Sequence, residues 1–171
     1  YTGTGSNASV GHGLDSAPEL ILIKLRSGTM NWVVYSSVIT QNKFLTLNST
    51  AYAETYNMWQ NTAATSSVFT ISTDGQPNTN SGTYIAYCFT SISGYSKVGS
   101  YTGNGTSGHS IATGFAPGFV IIKMTSASGS WYMFDDKRTT GVYSDQLIAN
   151  SNGAEATGTY VELTSTGFTL A

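Results

Sequence analysis

Hydrophobic and polar positions alternate along this chain in short runs, and none of ten residues or more has the 3.6-residue period of a helix. In Leu20–Leu25, Leu20, Leu22 and Lys24 share one face and Ile21, Ile23 and Leu25 the other, so the strand reads as apolar on both sides. Arg26-Ser27-Gly28-Thr29 is a Gly-containing turn into residues 32–35, which predicts a hairpin. Further strands are expected at 44–48, 68–72 and Tyr84–Phe89, with residues 73–78 a loop by their turn chemistry. After a linker at 94–99, residues 119–125 and 131–134 repeat the hairpin around Ser126-Ala127-Ser128-Gly129. Residues 146–149, 160–163 and 168–170 supply the last strands. A helical turn is expected only within 52–60. Short strands between Gly/Ser/Asn turns predict an all-β, antiparallel sandwich.

The two hairpins match residue for residue. Pro18, Lys24 and Trp32 recur as Pro117, Lys123 and Trp131, each 99 residues on. Tyr1-Thr2-Gly3 returns as Tyr101-Thr102-Gly103, and Val68-Phe69-Thr70-Ile71 roughly as Gly167-Phe168-Thr169-Leu170. An ordered self-match of this length predicts two tandem antiparallel β-sandwich repeats of jelly-roll or lectin-like type, separate or merged into one larger sandwich. The first would span residues 1–95 and the second 96–171. The second has no counterpart of residues 83–89 before Ala171, so an open groove is expected at 168–170. The sequence downstream or a neighbouring chain would fill it. Starting at Tyr1, the chain reads as a piece of a longer polypeptide.

Composition narrows the partners. Only 9% of the 171 residues are charged, the formal net charge is −2, and Lys and Arg are scattered. Electrostatic capture of nucleic acid is therefore not expected. No run is long and apolar enough to span a membrane as a helix. Cys88 is the single cysteine and lies in Tyr84-Ile85-Ala86-Tyr87-Cys88-Phe89, so an inert core thiol is expected.

Candidate chemistry is sparse. Adjacent Asp135 and Asp136 on a strand would point to opposite faces, whereas a glycosidase needs two converging carboxylates. With Lys137-Arg138 they read as a solvated, salt-bridged turn. Glu54 and Glu155 lie in polar loops and suit local hydrogen bonds; Glu162 is the outward residue of a strand. His12 and His109 lie in Gly-rich loops with no spaced metal partners, and Gly-x-Ser-x-Gly is absent. The Gly-x-Gly-x-x-Gly at 103–108 has no following helix, and no EF-hand spacing supports calcium at Asp74 or Asp145. No catalytic residue, metal or cofactor is expected. Trp32 and Trp131 should pack in the core. Tyr52, Tyr56 and Trp59, if exposed, would form a platform for sugar stacking or a subunit contact; alternatively they cover an open end of the sandwich.

The string Gly82-Thr83-Tyr84-Ile85-Ala86-Tyr87-Cys88-Phe89 is followed by Gly94-Tyr95-Ser96-Lys97-Val98-Gly99-Ser100-Tyr101-Thr102-Gly103-Asn104-Gly105. Together with Gly114-Phe115-Ala116-Pro117, Lys123, Trp131, Phe134-Asp135 and Asn150 to Ala154-Glu155-Ala156, it closely resembles a repeat found in virion proteins of marine bacteriophages. That family occurs in tail, fibre-like and other structural proteins, often beside concanavalin-like lectin domains, with no assigned enzymatic activity. The first unit departs from the pattern, with Ser36-Ser37 where the second has Asp135-Asp136. The resemblance implies a non-enzymatic structural or adhesion module of a phage virion. A tail-fibre, tail-associated or capsid-decorating protein would place it in the extracellular particle, as a homo-oligomer beside other virion chains. The alternative is a carbohydrate-binding module for host-surface glycans. A polysaccharide-cleaving enzyme is a third reading, and it lacks a good carboxylate pair.

Overall fold

The computed structural model describes residues 1–138 and 141–171. The fold is all-β, built of antiparallel sheets with a single helical turn among the described residues. Two compact units are present: Tyr1–Thr90 with Thr125–Ser128, and Ser91–Met124 with Gly129–Ala171.

In the first unit the strands are β1 (Ala8–Gly11), β2 (Leu20–Leu25), β3 (Val33–Ser36), β4 (Lys43–Thr46), β5 (Glu54–Thr55), β6 (Val68–Ile71) and, after the helical turn α1 (Gly75–Asn78), β7 (Tyr84–Phe89). They form a sheet of order β5-β4-β3-β2-β7 and a two-stranded ribbon β1-β6. Ile21, Ile23, Val33, Tyr35, Phe44 and Tyr84 of the larger sheet meet Phe69 and Ile71 of the ribbon in one buried cluster, the sandwich core. Along β2 only Ile21, Ile23 and Leu25 are buried; Leu20, Leu22 and Lys24 are half-buried, so the two faces are less alike than their apolarity suggests.

Residues 73–78, read as a loop, contain α1, while 52–60, the expected place for a helical turn, holds the short strand β5. The reason is local capping. The Asp74 carboxylate accepts the Gln76 N–H at 2.8 Å, and Pro77 sits in the first turn, where a missing N–H costs nothing.

The second unit is one six-stranded sheet. Its strands are β8 (His109–Ala112), β9 (Phe119–Lys123), β10 (Trp131–Asp135), β11 (Ser144–Ile148), β12 (Ala156–Thr164) and β13 (Gly167–Leu170), in the order β8-β13-β12-β11-β10-β9. Val120, Phe134, Val161 and Phe168 make its core, with Ile111, Ile122 and Leu163 packed against them. Gly167 is required where β13 meets β8, since a Cβ there would stand 2.0 Å from the Ile111 carbonyl oxygen. His109, expected in a loop, lies in β8.

The open edge expected at 168–170 is not there. β13 is hydrogen-bonded on both sides, to β12 and to β8. Strand β7, whose sequence is not repeated before Ala171, pairs with β2 rather than with β6. The end strands of the second unit's sheet are β8 and β9, and among the described residues the one named partner of β9 is β10.

Matched hydrogen bonds recur in the two hairpins. Lys24 Nζ donates to the Met30 carbonyl, and Lys123 Nζ to the Gly129 carbonyl at 2.6 Å, so each lysine ties down its own turn. The Trp32 N–H donates to Asn48 Oδ1 at 2.9 Å, and the Trp131 N–H to Asn150 Oδ1 at 2.7 Å. Leu47 N–H bonds the Trp32 carbonyl and Ala149 N–H the Trp131 carbonyl, both at 3.0 Å.

Candidate functional site

The antiparallel pairing of β2 with β7 sets Leu20, Leu22 and Lys24 opposite Phe89, Tyr87 and Ile85, all on the face turned from the core. Tyr87 and Phe89 are each 45% exposed. The Trp32 ring stacks on Tyr87, with centroids 6.4 Å apart and planes 20° apart. Asn48, whose Oδ1 accepts the Trp32 N–H, begins a chain of amides: its Nδ2 donates to Asn31 Oδ1 at 3.0 Å, and Asn31 Nδ2 to Gln76 Oε1 at 3.3 Å. An exposed aromatic pair with amides linked to its backbone can stack a sugar ring or cover a partner's apolar side chain. The sequence expectation of two core tryptophans is not met: Trp131 is buried, but on the face of β10 opposite Phe134 and outside that core cluster, and Trp32 is only half-buried. The exposure of Tyr87 and Phe89 is not legible in the sequence, because β7 is apolar on both faces and alternation does not say that it ends a sheet.

The proposed platform of Tyr52, Tyr56 and Trp59 does not hold together. Trp59 is 1% exposed, belongs to the core, and gives its indole N–H to the Lys43 carbonyl at 2.9 Å. It cannot stack on a ligand. Tyr52 and Tyr56 flank β5 and are 53% and 52% exposed.

Asp135 and Asp136 form the salt-bridged turn expected of them. Asp135 pairs with Arg138 at 2.6 Å and Asp136 with Lys137 at 2.8 Å, while Arg138 reaches Glu155 at 2.9 Å. The hydrogen bond from Arg138, with help from the Lys137 N–H, holds the Asp135 carboxyl below the usual carboxylate range. Asp74 is spent on its cap. Asp145 is buried in β11, its Oδ1 without a hydrogen-bond partner among the described residues. No cluster of three or more His, Cys, Asp or Glu with metal-holding geometry occurs among the described residues.

A cavity of about 260 Å³ in the first unit is lined by Tyr1, Val10, Gly11, His12, Phe69, Ala86 and Cys88. It brings a thiol and an imidazole to one place, but both ring nitrogens of His12 are engaged. Nδ1 accepts the Leu14 N–H at 3.1 Å and Nε2 faces the Thr65 carbonyl at 3.1 Å, which makes Nε2 the N–H donor and commits the Nδ1 lone pair to a backbone amide. Burial pushes the Cys88 thiol up, away from thiolate. Ellman's reagent should therefore react with native Cys88 more slowly than with the unfolded chain; equal rates would show an accessible thiol.

No helix among the described residues is long and apolar enough to cross a membrane. No curated protein and no solved structure matches the chain. One family model does, over residues 1–171, and its description is a domain of unknown function. The chain belongs to that family, DUF7483.

Proposed function

We propose that this chain is a non-enzymatic structural and adhesion module of a phage virion, from a tail-fibre, tail-associated or capsid-decorating protein, working within an oligomer, and that its two units derive from one duplicated β-unit. Matched lysine and asparagine locks on the two hairpins support the duplication. The observation that carries the assembly role is where the apolar side chains lie. Tyr87 and Phe89 on β7 and Phe119 on β9, which end two different sheets, are left 45–55% exposed. Aromatic groups on sheet ends are surface that a partner covers. Light scattering on the purified chain should give a mass above that of the monomer; a monomer at every accessible concentration would overturn the homo-oligomer.

The second reading is a module binding host-surface glycans. It is favoured by the stacked Trp32 and Tyr87 beside the Asn31, Asn48 and Gln76 amides, and by exposed Tyr52 and Tyr56. A glycan array is expected to show binding that Tyr87→Ala weakens if this reading holds. Silence on the array would remove it.

A further inference from the structure

We propose that the outer edge of β9 is a strand-acceptor site, taking an extended, β7-type segment of another polypeptide antiparallel to β9, in the register β7 adopts on β2. The proposal rests on the reading of this chain as an assembly module and names the chemistry of the joint.

The hairpin β9-β10 repeats β2-β3 in register. The Ser37 N–H donates to the Glu19 carbonyl at 2.8 Å and the Asp136 N–H to the Gly118 carbonyl at 3.2 Å, 99 residues further on. Antiparallel ladders alternate, so in β9 the peptide groups of Val120 and Ile122 face β10, and those of Phe119 and Ile121 face outward. In β2 the corresponding outward groups belong to Leu20 and Leu22, and they are taken by Phe89 and Tyr87. Among the described residues no strand does this for β9.

The side chains of β9 suit the same guest. Ile121 stands where Leu22 receives Tyr87, and Val120 and Ile122 stand where Ile21 and Ile23 receive Cys88 and Ala86. Phe119 is 55% exposed, and β9 carries no proline and no bulge; its one charge, Lys123, is the last residue of the strand and gives its ammonium to the Gly129 carbonyl. Backbone hydrogen bonds would supply affinity for any strand. The alternating pattern of β7, with Ile85, Tyr87 and Phe89 on one face and small Ala86 and Cys88 beside Tyr84 on the other, would supply selectivity.

The probe is a labelled peptide with the sequence of residues 83–90 carrying Cys88→Ser, titrated into the 171-residue chain and read by fluorescence anisotropy. Saturable 1:1 binding is expected. Ile121→Pro removes one outward N–H and leaves the β10 ladder untouched, so the variant should fold, as circular dichroism would show, and bind about tenfold more weakly or worse. Should that variant fail to fold, N-methylation of the peptide at its Tyr87 amide makes the same test from the other side. No binding, or binding indifferent to both changes, overturns the proposal. So does self-association of the chain alone that Ile121→Pro abolishes, since β9 would then be taken by a second copy. An oligomer that forms without β9, in a chain that does not bind the peptide, leaves the module reading standing while the strand-acceptor site falls.

Discussion

Trp59→Ala is expected to lower the folding free energy by about 3–5 kcal/mol, the range for deleting a buried aromatic. The indole is fully enclosed in the sandwich core and meets the Tyr35 ring edge-on, with centroids 5.5 Å apart. Its N–H is satisfied by the Lys43 carbonyl, so truncation opens a cavity and strands that carbonyl as well. Folded domains are held by roughly 5–15 kcal/mol, so the loss is a large share of the total. Tyr52→Ala and Tyr56→Ala, at exposed positions, should each stay within about 0.5 kcal/mol. Urea denaturation of the three variants separates the cases. A Trp59→Ala protein with an unchanged midpoint would mean that the tryptophan is not in the core.

The strands of this fold are legible where apolar residues alternate or run together. Leu20–Leu25, Tyr84–Phe89 and both hairpins follow directly from that pattern. β1 and β8 are not legible, because Ala8-Ser-Val-Gly11 and His109-Ser-Ile-Ala112 each carry a single large apolar residue amid glycines and serines. They become strands only because the apolar β6 and β13 offer them a ladder. The duplicated string shows which residues correspond but not which strands touch. That is why the sequence predicts an open edge on β13, which pairs on both sides, whereas the sheet ends at β8 and β9. The same limit explains Trp59. An aromatic in a Thr/Asn-rich loop gives no sign of direction, and only packing against Tyr35 and the Lys43 carbonyl shows that it points inward.

Asn78→Leu is expected to cost about 3 kcal/mol, from buried hydrogen bonds lost without replacement. Asn78 has no exposed surface and is fully used. Its Oδ1 accepts the Thr4 N–H at 2.7 Å, and its Nδ2 donates to the Ser6 and Ser72 carbonyls at 2.6 and 2.7 Å. One side chain thus ties the entering segment of the chain to the end of β6 and to α1. Leucine is of similar size, so little cavity forms, and the loss measures polar groups left unpaired. The Ser72 carbonyl, on a buried residue, should weigh most; Thr4 and Ser6 are exposed and can turn to water. Asn78→Asp sharpens the test through pH. A carboxylate there would face the Ser6 and Ser72 carbonyls in a buried site, which raises its folded-state pKa above the unfolded value of about 3.9. The folded state then binds more protons than the unfolded one, so this variant should be least unstable in acid and lose stability as pH rises through the carboxyl's range. Asn78→Leu should show no pH dependence beyond the parent's. Urea midpoints for both variants between pH 3 and 7 decide the matter, and parallel curves would mean that position 78 is open to solvent.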